Sequence, residues 1–138
     1  MRWWLQAILI LLFALGGAIG STLLVQRPDL PALSQDEWLR TPAQVAELGN
    51  VLWIDARNVE RFEAGHLENA VNVSLDDWDT GFGELISVWS PDDTIVVYCD
   101  GEGCELSRET AEHLRKDLGQ ENVYWLEGGY EAWLDFAP

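Results

Sequence analysis

Hydrophobic positions fall into two regimes along the chain. From residue 3 to 25 they form a nearly unbroken run, WWLQAILILLFALGGAIGSTLLV, in which Gln6, Ser21 and Thr22 are the clearly polar members. A helix of about 23 residues crosses a hydrocarbon core of roughly 30 Å, whereas a domain of the size that follows is too small to bury it. Residues 1–27 are therefore expected to form a transmembrane helix or signal-anchor. The same run has features of a cleaved signal peptide, with residues 5–15 as the apolar region and Ala18-Ile19-Gly20 before Ser21. Because it continues through Leu23, Leu24 and Val25, the uncleaved anchor is the favoured form. Basic residues nearly balance across the segment, and the two-residue tail ahead of it suggests a signal-anchor that sends the rest of the chain out of the cytoplasm, to the periplasmic side. Residues 28–33, with Pro28 and Pro31, form a stiff linker.

From residue 34 onward short apolar runs alternate with amphipathic stretches. Ser34-Gln35-Asp36-Glu37 has the form of a capping box, which predicts a helical stretch to about residue 48, broken at Pro42 and stopped by Gly49. Strands are predicted at 51–54, 70–73, 94–98 and 123–126, the clearest being TIVVY at 94–98. Helical turns are expected at 59–64, 75–88, 107–118 and 130–136. In the third of these Ala111, Leu114 and Leu118 share a face. Strands joined by helices through short connections imply an α/β domain over 34–138 with a parallel sheet covered on both faces.

Charge narrows the function classes. The chain of 138 residues carries a formal net charge of −16, and after position 27 there are 6 basic and 24 acidic residues. Such a surface repels phosphate backbones and argues against nucleic-acid binding. With 8 Trp and 48% hydrophobic residues the chain is not a disordered acidic segment. Two cysteines make no disulfide scaffold, and no Cys/His spacing matches a zinc site, so neither a metal nor a cofactor is expected.

Candidate chemistry centres on Cys99, the first residue after the clearest strand. In an open parallel sheet, ligands bind beyond the carboxyl ends of the strands, where helix N-termini direct their N–H groups. Asp100, Gly101, Glu102, Gly103 and Cys104 follow, and the two glycines permit backbone conformations whose N–H groups converge on a sulfur or an oxyanion. A thiol so placed is expected to have a lowered pKa and to act as a nucleophile. The alternative is a buried cysteine serving as a small hydrophobe.

Four segments in order resemble the signatures of rhodanese-like domains: Ile54-Asp55-Ala56-Arg57, Phe62 to Val73 (FEAGHLENAVNV), Val97-Tyr98-Cys99 with Ser107, Ala111 and Leu114, and Leu126 to Trp133 (LEGGYEAW). The resemblance covers residues 34–136. It implies an open sheet of about five parallel strands with helices on both faces, preceded here by one transmembrane helix. It also implies that Cys99 carries sulfur as a persulfide from a donor to a thiol acceptor, with residues 100–104 as the substrate-binding loop and Asp55 and Arg57 in a supporting network.

Departures from the family pattern shape further expectations. The loop is about two residues longer than in common single-domain members and contains Cys104, a candidate resolving thiol five positions from Cys99. Asp100, Glu102 and Glu105 are expected to repel an anionic donor, with Arg108 the nearby cation, a binding residue or a surface partner for Glu105 or Glu112. Phosphatase chemistry on this fold needs Cys-x5-Arg, and the sixth residue after Cys99 is Glu105. Two other functions stay open: a thiol-disulfide or persulfide relay using Cys99 and Cys104 with a protein partner, and a non-catalytic module that recruits a neighbouring membrane protein. His66 is expected in a buried hydrogen bond and His113 at the surface. Trp53, Trp125 and Trp133 are expected in the core, with Trp38, Trp78 and Trp89 as candidates for a partner surface.

Overall fold

The computed structural model describes residues 35–101 and 105–137. The anchor and linker predicted for 1–33 and the loop residues Glu102, Gly103 and Cys104 lie outside them. Among the described residues no helix is long and apolar enough to cross a membrane.

Five parallel strands form one sheet, β1 (Leu39–Arg40), β2 (Leu52–Asp55), β3 (Val71–Asn72), β4 (Ile95–Tyr98) and β5 (Val123–Leu126), in the spatial order β1-β5-β4-β2-β3. Between them run α1 (Pro42–Glu47), α2 (Val59–Ala64), α3 (Trp78–Val88) and α4 (Glu105–Leu118), and α5 (Gly129–Phe136) closes the domain. The central β4 is buried at every position because β2 and β5 flank it and helices cover both faces. This explains its uniformly apolar sequence, which has no two-residue alternation.

Alternate residues of the strands feed two cores. Ile54, Ile95, Val97, Val123 and Trp125 meet Leu85 of α3 and Ala111 and Leu114 of α4 on one face. Val96, Tyr98 and Leu126 meet Val45 of α1 and, less deeply, Tyr130 and Trp133 of α5 on the other. Of the tryptophans expected in the core Trp125 is buried, while Trp53 and Trp133 pack partly buried against the second core with ring centroids 4.7 Å apart. Trp38, Trp78 and Trp89 pack half-buried against the first core. His113 is exposed, as expected, its ring 5.4 Å from that of Trp78. His66 Nδ1 lies 2.9 Å from the Phe62 carbonyl oxygen, but at an exposed position where the sequence predicted a buried one.

The predicted helix over 34–48 is corrected. Gln35–Trp38 is a 3-10 turn, Leu39 and Arg40 form a strand beside β5, and the α-helix begins only at Pro42. The operative cap is Thr41, whose hydroxyl accepts from the Gln44 N–H while Gln44 Oε1 accepts from the Thr41 N–H. Proline at the first helical position has no N–H that would need an acceptor, and it holds Thr41 in the extended conformation that ends a strand. The helix after Cys99 spans Glu105–Leu118, two residues longer at its start than expected.

Candidate active site

The order of the strands places Cys99 at the carboxyl end of the central strand, next to the ends of β2 and β5. Its side chain is buried. Cys99 Sγ lies 3.6 Å from Ser107 Oγ, in the first turns of α4, and 4.0 Å from the Gly101 carbonyl oxygen. Ser107 is itself buried, so its hydroxyl is a fixed group beside the sulfur. Cys99 is disulfide-bonded.

The C-terminal glycines support this loop from below. Gly128 and Gly129 have φ values of +71° and +62°, and the Tyr130 N–H donates to the Cys99 carbonyl at 2.8 Å. A Cβ on Gly129 would stand 2.5 Å from that carbonyl oxygen and 3.0 Å from the Gly101 nitrogen. Glycine is therefore required twice at this position, for its left-handed backbone and for the close approach of the Cys99 loop.

Asp55 and Arg57 form the adjoining wall. Both are buried, and the guanidinium donates to both Asp55 oxygens, with the shortest contact 2.6 Å, and to the Gly65 carbonyl at 2.7 Å. Asn72 Nδ2 donates to the Asp55 and Arg57 carbonyls, tying the end of β3 to the same point. The hydrogen bonds that the guanidinium donates to Asp55 raise the Arg57 pKa, so it keeps its charge despite burial. Arg57 also faces the Tyr130 ring, 4.4 Å from its centroid. Burial raises the pKa of Tyr98 as well, and its neutral hydroxyl accepts the Leu67 N–H at 3.1 Å.

Two of the three carboxylates expected to repel an anionic donor, Asp100 and Glu105, have basic side chains beside them. Asp100 Oδ1 lies 3.5 Å from Arg57 Nη1 and 3.4 Å from Arg61 Nη1. Glu105 pairs with Arg108, which also lies 4.0 Å from Glu112, so Arg108 is engaged on its own helix. Sequence reasoning missed Arg61. It stands 39 positions from Asp100, and only the parallel pairing of β2 with β4 brings the two segments together. Gly101 is half-buried; Glu102, Gly103 and Cys104 lie outside the described residues. Among the described residues no group of three His, Cys, Asp or Glu side chains is arranged to hold a metal ion.

The family model for the rhodanese-like domain matches residues 38–136. The chain belongs to the rhodanese-like domain family. Among relatives, an HTH-type transcriptional regulator of Mycobacterium tuberculosis is 31% identical over 102 residues, covering 74% of this chain and 41% of that protein. A tRNA uridine(34) hydroxylase of Escherichia fergusonii is 31% identical over 106 residues, covering 74% of this chain and 29% of that protein. The chain thus spans less than half the length of these relatives. Among solved structures, a rhodanese-like domain from Anabaena superposes with a TM-score of 0.57 at 24% identity, covering 73% of this chain and 76% of that one. A human single-domain sulfurtransferase also gives a TM-score of 0.57, at 19% identity, covering 73% of this chain and 98% of that one. At these identities the two structures establish the rhodanese-like fold.

The Gly129 contact yields a prediction. Gly129→Ala should destabilise the domain by about 2–4 kcal/mol, from the left-handed backbone together with overpacking. Gly49→Ala, at φ +77° with open space around its Cβ, should cost only the backbone share of about 1–2 kcal/mol. Urea denaturation of both variants measures the difference, and equal losses would show that the contact with the Cys99 loop is unimportant.

Proposed function

We propose that this chain is a membrane-anchored rhodanese-like sulfurtransferase that carries sulfur as a persulfide on Cys99. The observation that supports this most is the position of Cys99, buried at the carboxyl end of the central strand with the Ser107 hydroxyl 3.6 Å from its sulfur. With Cys99 reduced, its thiolate attacks the sulfane sulfur of a donor. The donor's sulfur bond breaks, and the leaving group departs with the electron pair, as sulfite when the donor is thiosulfate. An acceptor thiolate then attacks the outer sulfur of the persulfide and releases the Cys99 thiolate, with no net oxidation. In this reading Asp55 and Arg57 support the site and residues 100–104 serve as the substrate-binding loop, with no cofactor.

The disulfide-bonded state of Cys99 favours a second reading on the same residues. The Cys104 thiolate attacks Sγ of the Cys99 persulfide, hydrosulfide leaves, and the Cys99–Cys104 disulfide forms. A partner dithiol then reduces that disulfide and is itself oxidised. A cycle through a disulfide suits a compartment outside the cytoplasm, in keeping with the signal-anchor orientation.

Intact mass of the reduced full chain after exposure to thiosulfate and to polysulfide tests both readings. Cys99→Ser should abolish the gain of a sulfur atom and Cys104→Ser should permit it. Persistence of the loaded species in Cys104→Ser, against its conversion to disulfide in the unsubstituted chain, would support the relay. Loading of Cys99→Ser but not of Cys104→Ser would reverse the assignment.

The apolar run at 3–25 supports the anchor. The full chain should remain in the membrane pellet through high-salt and alkaline washing. Recovery of a soluble chain beginning near Ser21 would identify the run as a signal peptide instead.

A further inference from the structure

We infer that Arg61 selects sulfur donors by charge, with Asp100 as its resident counter-ion. This rests on the sulfur-transfer reading and adds a specificity-determining residue to it. Asp100 directly follows Cys99, and a single oxygen, Oδ1, faces two guanidinium groups, Arg57 Nη1 at 3.5 Å and Arg61 Nη1 at 3.4 Å.

The two arginines differ in what they are free to do. Arg57 is 5% exposed and held by Asp55 and the Gly65 carbonyl, so it cannot leave its place. Arg61 is 64% exposed on α2, and among the described residues its guanidinium has Asp100 as its ion-pair partner. An ion pair between exposed side chains is weak and screened. An arriving anion can therefore displace Asp100 from Arg61 while Arg57 keeps hold of Asp100. One carboxylate contact is exchanged for one donor contact, and no buried charge is stranded. The donor class that gains from this exchange is a small molecule with an anionic group beside its sulfane sulfur. A neutral donor gains nothing.

The test uses two alkylating agents of similar size, anionic iodoacetate and neutral iodoacetamide, on the reduced full chain, with the rate at Cys99 read by peptide mass. At low salt Arg61→Gln should lower the iodoacetate-to-iodoacetamide rate ratio roughly two- to fivefold, and Asp100→Asn should raise it by a similar factor. Arg61→Lys should retain most of the ratio, and added salt should draw all the variants together. Equal ratios in the unsubstituted chain, Arg61→Gln and Asp100→Asn would overturn the inference. So would a fall in the iodoacetamide rate of Arg61→Gln with its ratio unchanged, because Arg61 would then serve the shape of the loop. Alkylation needs no sulfur transfer. If the unsubstituted chain takes sulfur from no donor, the sulfur-transfer reading fails by itself while the ratio still reports on Arg61.

Discussion

The buried pair of Asp55 and Arg57 is the constraint on which the rest of this structure depends. Taking two charges out of water costs several kcal/mol per ion, and the cost is recovered only when the geometry is good and the remaining donors and acceptors are satisfied. Here the guanidinium fork meets both carboxylate oxygens, and Gly65 accepts a further bond. The Arg57 N–H returns to Asp55 Oδ1 at 2.9 Å. Satisfying this one pair orders the end of β2, the turn after α2 and, through Asn72, the end of β3. Those are the elements beside which Cys99 emerges.

The charge pattern then divides into two parts. Over the chain as a whole carboxylates outnumber cations, 24 to 8. Among the described residues beside Cys99, Asp100 and Glu105 are both paired with arginines. Gly129 contributes the other half of the support, since its backbone packs against the Cys99 carbonyl more closely than a Cβ would allow.

Much of this was legible in the sequence. TIVVY marked the central strand because a strand covered on both faces must be apolar throughout, and Cys99 followed from its position just beyond it. Leu39 and Arg40 were not legible as a strand. Two residues carry no period, and the apparent capping box at Ser34 pointed to a helix, whereas pairing with β5 and the true cap at Thr41 determine the outcome. Arg61 was not legible as a neighbour of Asp100, because an ion pair between segments 39 positions apart depends on strand order, which no local pattern encodes. Composition had marked Asp100 as repulsive, but its neighbours in space are two arginines.

If Arg57 organises the site, replacing its fork by a point charge should loosen the loop without loosening the far end of the sheet. Hydrogen exchange on Arg57→Lys measures this directly, because lysine keeps the charge but cannot reproduce the bidentate contact. The Tyr130 N–H, bonded to the Cys99 carbonyl, and the Leu67 N–H, bonded to Tyr98, should exchange roughly tenfold faster or more. The Leu52 and Ile95 N–H groups, bonded to Thr94 and Asn122 at the opposite end, should keep their protection. Unchanged protection at Tyr130 and Leu67, or an equal loss at all four, would contradict the account.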